Sequence, residues 1–508
     1  MTISNISRRT FNKSCLAQLP VGPAFTAAVT SDLEWRRERE KLAHRRRRLI
    51  YNDDGDARYV SPAVKNIADF LSRRFDWTKG SQVDSYYWCI GDGQDRPYGR
   101  PAPTGIGDPT RVMLEAARAA GQEAVISLRM NDIHDAFREV NYPFKLQHRN
   151  MLIDPTGAPG KYVKPDWRFW YWSAMDYARG EVRQHKLDYI SRICDQYVPD
   201  GFELDFMRHP MYFKKGEEAA NLSAMTEFVR KVRQRLDEIG RKHGRPILLS
   251  ARLADTPEKS VKLGLDGPSW LKEGLLDVLI IGLGYFPYGD TWKQFARLAE
   301  KHGVPAYPAY DCGLLYNLPQ IELLRGAVTN WWSGGVPGIY LFNPFVPVAA
   351  KKFSAEAFYG ELKRIGSPGT LVGLDKAFCP HDFSSSLDSA QRTWGLAASV
   401  ESGLPLKVSE TARVLNVQVE ETLVHVPQGK RRELALRVLA STGEAASNLV
   451  VKLNGRKLDV GKPAGQDWIE FPLKPADARR GLNEVAVASS QGETTVKLLQ
   501  LWVRYRRA

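Results

Sequence analysis

Cysteine is scarce: five stand among 508 residues, at 15, 89, 194, 312 and 379. The spacings are wide and contain neither a CxxC pair nor a Cys/His metal pattern, so no disulfide framework and no zinc site of that kind is expected. Long apolar runs are missing too, and nothing approaches the length that a membrane span requires. A doubly wound nucleotide fold would carry a phosphate-binding glycine fingerprint after its first strand. Here that place holds Asn52-Asp53-Asp54-Gly55, which is not one. Negative charge is outweighed, with 72 Lys and Arg against 58 Asp and Glu, a formal net charge of +14. The basic residues are scattered apart from the run Arg45 to Arg48, so nucleic acid is not the expected partner. The plain use of such a balance is solubility and a solvated basic face. The sharper use is attraction of an acidic polymer, such as a sulfated or uronic-acid glycan.

What the chain does have is core and rings. Hydrophobic residues make up 43% and charged residues 26%, an ordinary globular composition. The length exceeds one ordinary domain and predicts a unit of catalytic size plus a smaller one. Thirteen Trp and twenty Tyr exceed what a core needs and suit a groove for a hydroxylated, partly apolar ligand. At the amino terminus, Ser7-Arg8-Arg9-Thr10-Phe11-Asn12-Lys13 resembles the twin-arginine export motif. A weakly apolar stretch from Cys15 to Val29 follows, with Ala27 and Ala28 suited to cleavage. Export to the periplasm or beyond is the expectation, and residues 1–30 are left out of the fold.

Eight short apolar runs alternate with helical periodicity between Arg45 and Phe342. The predicted strands are Arg45–Tyr51, Val83–Ile90, Glu123–Leu128, a run opening at Gly201, Pro246–Leu253, Leu276–Gly282, Ala306–Tyr310 and Gly338–Phe342. Helices are predicted around 61–75, then over Pro109–Ala120, Glu181–Tyr197, Ala219–His243, Thr291–His302 and Gln320–Ser333. This is the pattern of an α/β protein built as a (β/α)8 TIM barrel over residues 31–350. The aromatic-rich insertion 133–176 is long enough to serve as a rim or lid. A bridging segment, 351–403, leads to alternating runs over 404–508 that read as an all-β sandwich. Its plain role is a cap on the barrel; the sharper role is carbohydrate binding.

Polar residues recur just past the strand ends, where barrel enzymes place their sites. The densest group is Asp200-Gly201-Phe202-Glu203-Leu204-Asp205-Phe206-Met207-Arg208-His209-Pro210. Phe202, Leu204 and Phe206 fall on one side of the strand, Glu203 and Asp205 on the other. Two acids and a cation at the end of an apolar strand cost too much to be packing alone.

With Glu181-Val182-Arg183, Gly264-Leu265-Asp266, Trp270 to Leu275 and Gly335 to Asn343, this group resembles the bacterial family 10-like glycosyl hydrolases. The resemblance spans most of residues 45–345 and implies a barrel glycosidase. The Asp-Gly-x-x-x-Asp core is also similar to a chitinase signature, but the acidic Glu which that motif needs is Met207, against substrate-assisted chitin chemistry.

Glycoside hydrolysis usually takes two carboxyl groups flanking the scissile bond. Asp205 is the expected nucleophile, or the base if the enzyme inverts, with Arg208 and His209 favouring its ionised form. Glu203, one step deeper, orients. For the general acid the first candidate is Asp255, followed by Glu258 and Asp311. Thr256-Pro257-Glu258 is also a good helix start and Asp255 a plausible Asx turn. Asn52, Asp53, Arg129, Asn131, Arg252, Tyr285, Tyr310 and Asn343 are candidates to hold sugar hydroxyls. No cofactor and no metal is expected; the acidic turn Asp53–Asp56 lacks the spaced ligands of a calcium loop. The rival is a non-catalytic glycan-binding protein on the same scaffold, and a hydrolase or lyase for another bond stays open.

Overall fold

The computed structural model describes residues 23–54, 64–91, 105–136, 142–164, 166–282, 290–380, 404–423, 425–441, 448–465 and 467–508. Its side chains are described from residue 32 onward, except at 316 and 317. The export motif, Asp56 and Tyr285 lie outside the described residues.

Eight parallel strands close a barrel in sequence order: β1 (Leu49–Asp53), β2 (Val83–Ile90), β3 (Glu123–Arg129), β4 (Gly201–Asp205), β5 (Leu248–Leu253), β6 (Val278–Ile281), β7 (Ala306–Asp311) and β8 (Ile339–Phe342). Both faces of the strands are covered, so β6 is a continuous apolar run, while β4 and β5 alternate apolar residues with buried polar ones. One face packs on the helices, as Leu204, Leu253, Ile281 and Tyr310 do. The other fills the barrel with Ile50, Tyr87, Val125, Val278, Ile280, Tyr307, Ala309, Tyr340 and Phe342. The period of two then decides the site. Counting from these residues, Asn52, Cys89, Arg129, Asp205, Arg252 and Asp311 face the axis at the strands' carboxyl ends.

The first strand starts four residues later than its basic run predicts, because the arginines do other work. Arg47 is buried at the amino-terminal end of the barrel, donating to both oxygens of Glu123 at 2.7 Å and to the Leu42 and Ala43 carbonyls. Arg48 pairs with Asp84 at 2.7 Å. Local chemistry elsewhere follows the residues: Asp108 caps the helix Pro109–Ala119, and the helix Leu222–Lys242 buries Met225, Phe228, Val232, Leu236 and Ile239. The insertion after β3 is not a bare loop. It forms the short helices Pro143–Gln147 and Arg168–Tyr171; Tyr171 joins a satellite core of Ile133, Ile153, Ala174 and Met211, while Phe144 packs against the barrel core.

Beyond the barrel, short helices lead to β9 (Lys376–Phe378). The sandwich strands are β10 (Leu406–Val408), β11 (Arg413–Val419), β12 (Lys430–Ala440), β13 (Leu449–Leu453), β14 (Arg456–Lys457), β15 (Lys462–Pro463), β16 (Trp468–Leu473), β17 (Gly481–Ser489) and β18 (Thr494–Arg507). One antiparallel sheet runs β10-β18-β12-β16-β15 with β9 also on β18; the other runs β11-β17-β13-β14. They enclose a core that includes Val417, Leu436, Val451, Phe471, Val487 and Leu501. Strand β9 serves both units. Phe378 belongs to the sandwich core, while Ala377 and Cys379 belong to the barrel core. The helix Ile321–Ser333 carries Gly326 at this seam because a Cβ there would collide with the Ala377 carbonyl.

Candidate active site

Buried polar groups line the inside of the barrel. At its amino-terminal end Ser85 joins the Arg47–Glu123 pair, donating to Glu123 at 2.6 Å. Midway, Glu203 is wholly buried and one oxygen, Oε2, accepts from Ser127, from Tyr340 at 3.0 Å and from Asn52 at 3.4 Å. Burial, with the charge of Asp205 added, pushes this carboxyl up to about 8, so it is protonated at neutral pH. Glu203 is therefore a neutral hydrogen-bonding group and not a reacting carboxylate in the ground state.

At the carboxyl end the register sets Arg129, Asp205 and Arg252 side by side on β3, β4 and β5. Arg252 grips Asp205 through two parallel bonds, Nε to Oδ1 and Nη2 to Oδ2, both 2.8 Å. Its guanidinium lies 4.0 Å from the centre of the Phe342 ring. Oδ1 also accepts the amides of Met207 and Arg208 at 2.9 and 3.1 Å, because the chain turns sharply after β4. Asp205 is 1% exposed and Arg252 is fully buried. Arg252 is thus the partner of Asp205, a role beyond the sugar contact expected of it.

Asp311, on the axis side of β7, accepts the Gly313 amide at 2.8 Å. Burial pushes its carboxyl up to about 6, against the pull of that amide and of Arg208 and Arg252. Asp255 is buried as well, but faces Lys259 at 3.4 Å and the Thr291 hydroxyl at 3.5 Å. Glu258 stands apart. It is exposed on the first turn of the helix Pro257–Lys262 and paired with Lys262 at 2.9 Å, while Thr256 caps that helix. Solvent, not an apolar pocket, surrounds it, and its pKa is lowered by Lys262 where an acid needs it raised.

Several expected sugar contacts are spoken for by the protein. Asp53 points outward, bound to Arg74 and to the Tyr86 hydroxyl at 2.7 Å. Arg129 pairs with Asp132 at 2.9 Å and with Asp54. Asn131 ties the insertion down through the Met175 and Met211 carbonyls at 2.9 and 2.6 Å. Tyr310 faces the helices, edge-on to Trp331. Asn52 and Asn343 remain near the axis, and Asn343 adopts a left-handed backbone with φ of 52°, which asparagine tolerates. Arg208 is partly buried next to Asp205, within reach of the Phe342 ring.

Sequence reasoning passed over Asp132 and His134, although Asp-x-His directly after a strand was the available signal. With His209 they bring metal-ligating atoms within 4.8 Å of one another, all buried. His134 Nδ1 lies 2.5 Å from Asp132 Oδ1, and His209 Nδ1 is 3.1 Å from the Asn131 carbonyl. Burial pushes His134 down to about 4 and His209 well below its usual range. Arg129 on the second Asp132 oxygen, and Arg208 acting on both rings, oppose a cation here. The group fits an ionised Asp132 balanced by Arg129, with two neutral imidazoles hydrogen-bonded around it, better than a metal centre.

No protein-family model matches the chain, and no curated protein matches it in sequence. Solved structures match in chain trace. An α-amylase from Anoxybacillus shares 11% identity at TM-score 0.42, over 89% of this chain and 99% of that one. An α-galactosidase from Thermus thermophilus shares 13% at 0.35, over 63% of this chain and 62% of that one. A chitinase from Bacteroides thetaiotaomicron shares 11% at 0.36, over 63% and 96%. These neighbours are glycoside hydrolases, and at such identities and scores the likeness carries no weight for this chain.

Proposed function

We propose that the chain is a glycoside hydrolase acting on a poly- or oligosaccharide, with Asp205 as nucleophile and Asp311 as general acid. The observation that carries this is the contrast between two axis-facing carboxyls on different strands. Asp205 is bound by a guanidinium and two amides; Asp311 is raised to about 6 by burial and can hold a proton near neutral pH. Asp205 Oδ1 takes three donors but Oδ2 one, among the described residues, which leaves Oδ2 a lone pair for attack at the anomeric carbon. That favours retention. Asp311 would protonate the leaving oxygen and then deprotonate the water that releases the sugar. Partly buried Arg208 beside them supports a carboxylated or sulfated sugar.

Asp311→Asn tests the assignment. Turnover of substrates with poor leaving groups is expected to fall by roughly 10²–10⁴, with activated leaving groups much less affected. In wild type, kcat/KM should decline as pH rises through about 6, because the acid loses its proton there; in the variant that limb should vanish. A limb that persists unchanged removes Asp311 from the role. The anomer released first, read by proton NMR, checks retention.

One observation favours a second reading. Asp205 is 1% exposed and held by Arg252 through two parallel bonds, as a structural strut would be. In that case the barrel binds glycans without cleaving them, and neither wild type nor Asp205→Asn would turn over a glycan that both bind.

A further inference from the structure

Between the barrel and the sandwich lies a cleft of about 500 Å³, lined among others by Trp332, Val372, His425, Pro427 and Tyr505. This is within the size range of small-ligand sites. Val372 is 56% exposed, an apolar side chain left open on its wall. Its floor is electrically closed: Lys376 pairs with Glu421 at 2.8 Å, and the Tyr505 hydroxyl donates to Glu421 at 2.7 Å.

Its rim is not closed. Where β12 begins and β18 ends, the register sets Lys430 directly opposite Arg507, and Arg431 directly opposite Arg506. Like charges directly opposite are destabilising. Arg432, opposite Tyr505, lies with Lys430 and Arg507 on the cleft side of the sheet, whereas Arg431 and Arg506 alternate to the other side. The acids that answer are Glu433, 3.0 Å from Arg431, and Asp375, 2.9 Å from Arg506. The rim belongs to the cleft, since Lys430 Nζ donates to the Gly373 carbonyl at 2.8 Å and lies 6.0 Å from the centre of the Tyr505 ring.

We propose that this cleft and its basic rim bind a chain of an acidic polysaccharide. Carboxylates would sit on Lys430, Arg432 and Arg507, which share the face of the sheet that carries Tyr505, and the apolar face of a sugar ring against Trp332 and Pro427. A neutral glycan would leave the opposed Lys430 and Arg507 without an anion, whereas a uronate chain supplies carboxylates to them. The site would hold polymer while the barrel works on it, and it rests on the glycosidase reading only for the identity of that polymer.

The experiment uses the full chain, with polygalacturonate, dextran and a DNA duplex as probes in calorimetric titrations. Wild type is expected to bind polygalacturonate in a salt-dependent way and dextran at least tenfold more weakly. Lys430→Glu/Arg432→Glu/Arg507→Glu should lose tenfold or more in affinity for polygalacturonate, and the milder Lys430→Gln/Arg507→Gln should lose less. Unchanged binding in both variants, equal binding of dextran, or DNA bound as tightly as polygalacturonate would each overturn the proposal. Hydrolysis is read separately. Binding without any cleavage spares this site and removes the barrel chemistry, whereas cleavage of a short glycoside with binding unaltered in both variants does the reverse.

Discussion

Arg252→Met is expected to cost the fold about 3–5 kcal/mol, the largest loss of any single replacement at the site. The substitution keeps much of the side chain's volume but removes both bonds to Asp205, leaving a carboxylate 1% exposed with two amides for company. Desolvation of that anion then has no cationic offset. The guanidinium also acts on Glu203, whose pKa it lowers, so its loss should favour protonated Glu203 further. The double variant Arg252→Met/Asp205→Leu should recover most of the loss, because a buried pair replaced by apolar groups is often neutral or better. Urea midpoints for the four members of this cycle decide the matter. A single-variant cost below about 1 kcal/mol would mean that water, rather than Arg252, is what Asp205 depends on.

Glu203→Gln should make the protein more stable in alkali. The carboxyl is raised from 4.5 to about 8 in the folded state. Between those values the folded chain keeps a proton that the unfolded chain gives up, so stability falls as pH rises through the window. Taken over the whole window, one such group is worth about 5 kcal/mol. Glutamine has the same shape and cannot ionise, so it removes the slope. Melting temperatures of wild type and variant should nearly coincide at pH 5 and separate by pH 9 with the variant higher. If the curves run parallel from pH 5 to 9, Glu203 is ionised throughout and the reading of this pocket fails.

The barrel was legible because its strands are short, apolar and regularly spaced, and because each ends in polar residues that a buried strand would not otherwise carry. The same period of two placed Glu203 and Asp205 on one face. What could not be read was anything that depends on which strands are neighbours at which register. Arg252 is 47 positions from Asp205 in the chain, and their contact exists only once β4 and β5 pair. Asp53 looked like Asn52 in sequence, yet the pleat turns it outward to Arg74. Asp311 and Asp255 are equivalent strand-end acids on paper; Lys259 beside Asp255, and burial with no lysine paired to it at Asp311 among the described residues, separate them. The first strand was drawn too early because Arg47, an apparent surface charge, is buried against Glu123. In the sandwich the long strands were evident, while β9, β10, β14 and β15 are too short to leave a pattern.

Three residues, Lys376 to Phe378, have a consequence for anyone who wishes to cut this protein in two. They hydrogen-bond to the last strand of the chain while their other side is pressed into a barrel helix at Gly326. A fragment ending near residue 380 would keep that ribbon but strip away its partner, exposing unpaired amides and carbonyls along an apolar border. Such an open edge recruits copies of itself. The truncated barrel should therefore sediment as aggregates where the whole chain does not, and a soluble, monodisperse fragment would show that the two halves are joined more loosely than this shared strand implies.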